Sequence, residues 1–76
     1  MKRSELDKLR HQAEVLQRKI VAYERVRKEI NDLAFKLIND VYALEALNAI
    51  DRTIFNQLQF MKHGLNKLEQ KLKEAA

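Results

Sequence analysis

Few residues in this chain could do chemistry, and their surroundings are telling. His11 and His63 are the only histidines, and each sits beside a basic neighbour, Arg10 and Lys62. With no cysteine in the chain and no paired carboxylates nearby, neither histidine has the ligands of a closed metal shell, so no metal is expected. A fold that set His11 near His63 would bring two ligands together and still leave the shell incomplete. Ser4 and Thr53 have no base at a spacing that suggests an activated nucleophile.

Asp32, Asp40, Glu45 and Asp51 lie in or near the most apolar stretch, where a buried acid would have a raised pKa and could work as acid or base. Simpler roles account for them. Asp40 and Asp51 are suited to helix starts, Asp32 to an ion pair with Lys36 one turn on, and Glu45 to a surface position. One glycine and no proline leave no material for a phosphate-cradling loop. The sequence therefore predicts no catalytic residue, no cofactor and no enzyme.

Basic residues offer the other kind of chemistry. The chain carries 15 Lys+Arg against 11 Asp+Glu, a net charge of +4. Arg18, Arg25, Arg27 and Lys28 are the best candidates for binding an anion, and Arg18 and Arg25 share a helical stripe with His11 that could track a phosphate backbone. Against this stand Glu14 with Arg18, Glu24 with Lys28, Asp32 with Lys36 and Glu69 with Lys73. In each the acid precedes the base by one helical turn, the order that predicts pairing on a solvated face. In Leu9-Arg10 and in Arg25, Arg27 and Lys28 the chain resembles the all-helical chorismate mutases. Heptad statistics produce these residues by themselves, and the chain is short for the three helices of that fold, so no residue role is carried over.

The elements that would position these residues are helices. A chain of 76 residues makes one small domain, and 46% hydrophobic with 34% charged residues is too apolar for a disordered tail. Leu6, Leu9, Ala13, Leu16, Ile20 and Tyr23 follow at alternating steps of three and four, the spacing of a heptad seam. A step of three to Val26 then predicts a shift of phase, with Ile30, Leu33 and Leu37 resuming the stripe. Ile54, Leu58, Met61, Leu65, Leu68 and Leu72 form a second series. Between them, residues 33–61 are apolar on more than one face and hold Phe35, Tyr42, Phe55 and Phe60, more than a single partner helix can bury.

A reversal must be made without proline or a well-placed glycine. Asn39-Asp40 offers an asparagine able to take a left-handed helix end, followed by a capping aspartate; Asn48 to Asp51 offers the same chemistry spread over four residues. Folding at 39–40 sets Leu33 against Leu47, Ile30 against Ile50, Val26 against Ile54, Leu16 against Leu65 and Leu9 against Leu72. Only that fold also uses the stripe from Leu6 to Ile20. The expectation is an all-α, coiled-coil-like antiparallel hairpin, helix about 4–38 and helix about 41–74, each about 50 Å long, with 48–51 as the rival turn. A single unbroken helix is disfavoured because Asp40 and Asp51 would fall in its seam. Ser4 is the expected first N-cap.

One open side of such a hairpin predicts self-association into a bundle, a homodimer or with the extra faces near Val15, Val21, Ala22 and Val41 a tetramer. The expected interface comprises Leu9, Leu16, Ile20, Tyr23, Ile30, Leu33 and Leu44, with Leu47, Ile54, Phe55, Leu58, Met61, Leu65 and Leu68. The reading is a protein-interaction or assembly module: an adaptor, chaperone or regulator with another protein as partner. The alternative is a dimeric nucleic-acid-binding regulator. The charged start lacks an apolar run behind it, and no stretch approaches a membrane span, so neither signal peptide nor membrane partner is expected and a cytoplasmic location is.

Overall fold

In the computed structural model, which describes residues 2–75, the chain forms two helices, α1 (Arg3–Lys36) and α2 (Val41–Ala75), packed antiparallel along their length. The result is a rod of 57 × 14 × 14 Å. Propensity alone favours this outcome, because Leu, Ala, Glu, Lys, Arg and Gln fill most positions and nothing between residues 3 and 36 breaks the helix. Glu5 in the first turn of α1, Lys36 in its last turn and Lys73 in the last turn of α2 complement the helix dipoles.

α1 starts one residue before the serine that the sequence suggests as its cap. Lys2 is extended, and its carbonyl accepts from the N–H groups of Glu5 and Leu6, both at 3.1 Å, with no side chain capping the end. Ser4 lies inside the helix. Three residues after Ser4 stands Asp7, one methylene shorter than the Glu of a capping box.

The reversal occupies residues 37–40. Leu37 closes α1 by donating to the Leu33 carbonyl at 3.0 Å, and the Asp40 N–H returns to the Leu37 carbonyl at 2.9 Å. Asp40 then caps α2: its Oδ1 accepts from the Ala43 N–H at 3.1 Å while its own carbonyl accepts from Leu44. Asn39 does not take the left-handed conformation, since no described residue has a positive φ. The turn closes instead through Leu37 at φ −103° and ψ 26°, so a β-carbon is no obstacle and glycine is dispensable. Residues 48–51 lie inside α2, which excludes the rival turn.

The seam between the helices keeps one phase from end to end. On α1 and its C-cap the inward residues are Leu6, Leu9, Ala13, Leu16, Ile20, Tyr23, Arg27, Ile30, Ala34 and Leu37, on α2 Leu44, Leu47, Asp51, Ile54, Leu58, Met61, Leu65, Leu68 and Leu72, all buried or half-buried. The predicted phase shift at Val26 is absent. Arg27 holds the seam position that the sequence reading gave to Val26, and Ala34 replaces Leu33; Val26 and Leu33 are 45% and 44% exposed. An arginine was unattractive there by type, yet a charge in a seam is tolerable when its partner lies directly across.

Ile20 and Leu58 are the buried residues of the described chain, at 8% and 2% exposure. They sit at the same level, midway along the rod, where neighbours above and below shield both. Gly64 also faces inward, close enough that a β-carbon there would lie 3.8 Å from Leu16 Cδ1.

Candidate interaction surface

Arg27 and Asp51 form the one ion pair among the described residues. Nε donates to Oδ1 at 2.9 Å and Nη2 to Oδ2 at 3.2 Å, a two-pronged bond across the seam. The guanidinium carbon also lies 4.9 Å from the centre of the Phe55 ring. The hydrogen bond from Arg27 holds the Asp51 carboxyl below its ordinary range, opposed by partial burial, and the same bond raises Arg27. Asp51 is thus a seam residue, not a helix start. The seam tolerates this aspartate because Arg27 supplies its counter-ion from the facing helix.

This pair draws one member of the candidate anion-binding set, Arg27, into the seam. Arg27 is turned inward and its charge is engaged, while Arg18, Arg25 and Lys28 remain exposed on the outside of α1. The four expected helix-turn pairs, Glu14–Arg18, Glu24–Lys28, Asp32–Lys36 and Glu69–Lys73, do not close within ion-pair distance among the described residues. All eight side chains are exposed, where water competes well for each charge. His11 and His63 are likewise exposed, and no group of three or more His, Cys, Asp or Glu among the described residues is placed to hold a metal. The Thr53 hydroxyl donates to the Ala49 carbonyl at 3.2 Å.

Of the residues the sequence assigns to an interface, most line the seam between α1 and α2. Leu9, Leu16, Ile20, Tyr23, Ile30 and Leu44 do so, as do Leu47, Ile54, Leu58, Met61, Leu65 and Leu68, while Leu33 and Phe55 lie outside it and are exposed. Apart from Ile20 and Leu58 they are only half-buried, since a two-helix rod covers each seam residue from one side. The largest exposed apolar side chains were not singled out by periodicity. Phe35, Tyr42 and Phe60 are 78%, 83% and 85% exposed, and Val21, Ile38, Val41 and Ile50 are also out in solvent. Their signal was the surplus of apolar residues between 33 and 61.

Two flanks border the seam. One residue before each seam position lie 15, 19, 22, 26, 29 and 33 on α1 and 43, 46, 50, 53, 57, 60 and 64 on α2. Because the helices are antiparallel, the same backward step turns both toward one side of the rod, and Val26, Thr53 and Gln57 border a common groove there. One residue after the seam lie 17, 21, 24, 28, 31 and 35 with 45, 48, 52, 55, 59, 62 and 66, on the opposite side. The first flank carries Val15, Ala22, Val26, Leu33, Ile50 and Phe60, with Lys19 and Glu29 its only charges. The second carries Glu24, Lys28, Glu45, Arg52 and Lys62 around Val21, Phe35 and Phe55.

No helix among the described residues is long and apolar enough to cross a membrane. No protein-family model, curated protein or solved structure matches this chain.

Proposed function

We propose that this protein is a non-enzymatic interaction and assembly module that works as a self-associated bundle of helical hairpins, presenting helix surfaces to another protein. The observation that carries the reading is the apolar surface left uncovered by the hairpin. Its accessible surface is 6417 Å². A compact folded chain of 9.0 kDa exposes about 4,900 Å² by the scaling of surface with mass. The surplus, about 1,500 Å² per copy, is of the size that obligate interfaces remove. It holds large apolar side chains at 42–85% exposure, spread over both flanks of the seam and beside the turn.

Covering that surface with further copies completes the half-buried seam as a four-helix core. The test is the solution mass by light scattering at two salt concentrations, with and without short duplex DNA. A dimer or tetramer whose mass ignores salt and DNA supports the reading. A monomer would sink it, and a DNA-dependent mass increase that disappears with salt would replace it with nucleic-acid binding through Arg18, Arg25 and Lys28.

A further inference from the structure

Resting on that reading, we infer that the dimer forms by stacking the flank of Val26 and Ile50 on the same flank of a second copy, head to tail, with the two-fold axis passing close to these two residues. The choice of flank follows from chemistry. Between residues 15 and 64 this side presents valines, alanines, Leu33, Ile50 and Phe60 with only Lys19 and Glu29 to desolvate. The opposite side would bury Glu24, Lys28, Glu45, Arg52 and Lys62, at a cost that apolar contacts of Val21 and Phe55 do not offset. Small residues also favour the first side: Ala22, Ala43 and Ala46 let a second pair of helices approach closely.

Charge decides the orientation. Residues 21–56, the half of the rod nearest the turn, carry five Lys+Arg against six Asp+Glu, so the half that holds the two chain ends carries ten against five, a net +5. The apolar flank itself runs into Lys8, Lys67 and Lys71 toward those ends. Stacking two copies with turns at the same end would face these lysines against their counterparts. Reversing one copy separates them and sets each turn half, with its slight excess of acidic residues, beside the basic half of the other.

The apolar part of the flank fixes the offset. It extends from Leu33 and Ala43 beside the turn out to Val15 and Gly64, and its centre lies about 20 Å from the turn at 1.5 Å rise per residue. Val26 and Ile50 stand at that level on the two helices. Centring the axis there buries the apolar stretch against itself, packs α1 on the partner's α1 and α2 on the partner's α2, and lets both basic ends project past the partner's turn. The overlap is about 40 Å long and covers about 800 Å² per copy, the size of a standard stable interface.

The absence of cysteine makes the geometry directly measurable. In a reversed stack, residues beside the axis meet their own copies. Val26→Cys and Ile50→Cys, each alone, are expected to give a disulfide-linked dimer in high yield under mild oxidation, with helicity unchanged. A spin label on the exposed site of His63→Cys should report a separation of about 40 Å, set by the helical rise on both sides of the axis. Turns at the same end would bring those labels to within about 20 Å, the width of two packed helix layers. A dimeric mass with the short separation, or with neither cysteine cross-linking, overturns the reversed stack while leaving self-association intact. A monomeric mass overturns both.

Discussion

Arg27 and Asp51 face one another across the seam at 2.9 Å, each occupying a position that an apolar residue fills in the layers above and below. Their pairing makes the hairpin's register specific. A one-heptad slip of α2 against α1 would leave Arg27 opposite Leu44 or Leu58 and Asp51 opposite Ile20 or Ala34, whereas most apolar layers would tolerate the move. Removing one partner strands the other in the seam, so Arg27→Ala and Asp51→Ala should each lower stability to urea. Arg27→Leu with Asp51→Leu together should restore it or exceed the parent, with additional species appearing in the mass distribution. Additive effects in the double-mutant cycle would show that the pair is not coupled.

Acid should loosen the hairpin in a defined window. The Asp51 carboxyl is depressed by its hydrogen bond to Arg27, so the folded chain binds its proton less readily than the unfolded chain. The stabilisation from this group is complete above the unfolded carboxylate pKa of about 3.9 and is lost as the pH falls through the lower folded value. Thermal midpoints should therefore fall below about pH 4, and Asp51→Asn should flatten that part of the profile. An unchanged slope in the variant would assign the acid sensitivity to other carboxylates.

Leu58 is the most buried side chain, at 2% exposure, and stands level with Ile20. Leu58→Ala should cost about 2–4 kcal/mol, enough to dominate the stability of a chain this small. Phe35→Ser, on the opposite flank near the turn and 78% exposed, should leave both midpoint and mass nearly unchanged. If the two variants behave alike in calorimetry, the seam is not the core.

The turn depends on Asp40. Its carboxylate bonds the Ala43 N–H, so Asp40→Ala should cost about 0.5–2 kcal/mol, while Asp40→Ser, which keeps an acceptor, should cost little. Asn39→Ala should be tolerated because no left-handed residue is needed there. Denaturant titration of the three variants separates the two roles, and an Asn39→Ala loss equal to that of Asp40→Ala would contradict this account.

Gly64 is the only glycine and lies in the interior of α2 with a negative φ. A β-carbon would reach Leu16 Cδ1 at an ordinary contact distance of 3.8 Å. Gly64→Ala should thus raise stability by about 1 kcal/mol through helix propensity and added contact. A fall in the thermal midpoint would mean that this site is approached more closely than the isolated hairpin requires.

The helical class and the two stripes are legible in the sequence because helix periodicity is local: Leu6 to Ile20 and Ile54 to Leu72 each declare one face without reference to the other. The reversal was legible too, as Asp40 caps through atoms within three residues. Tertiary structure alone decided the phase of the middle. By residue type, Val26 and Leu33 looked like seam positions and Arg27 and Asp51 like surface and cap, but a charge is acceptable inside only if its counter-charge arrives from 24 residues away. That fact belongs to the pairing of two helices and not to either stripe. With Arg27 and Asp51 inside, Val26, Leu33 and Ile50 are turned outward, and the apolar surplus of residues 33–61 becomes a flank that the hairpin cannot cover for itself.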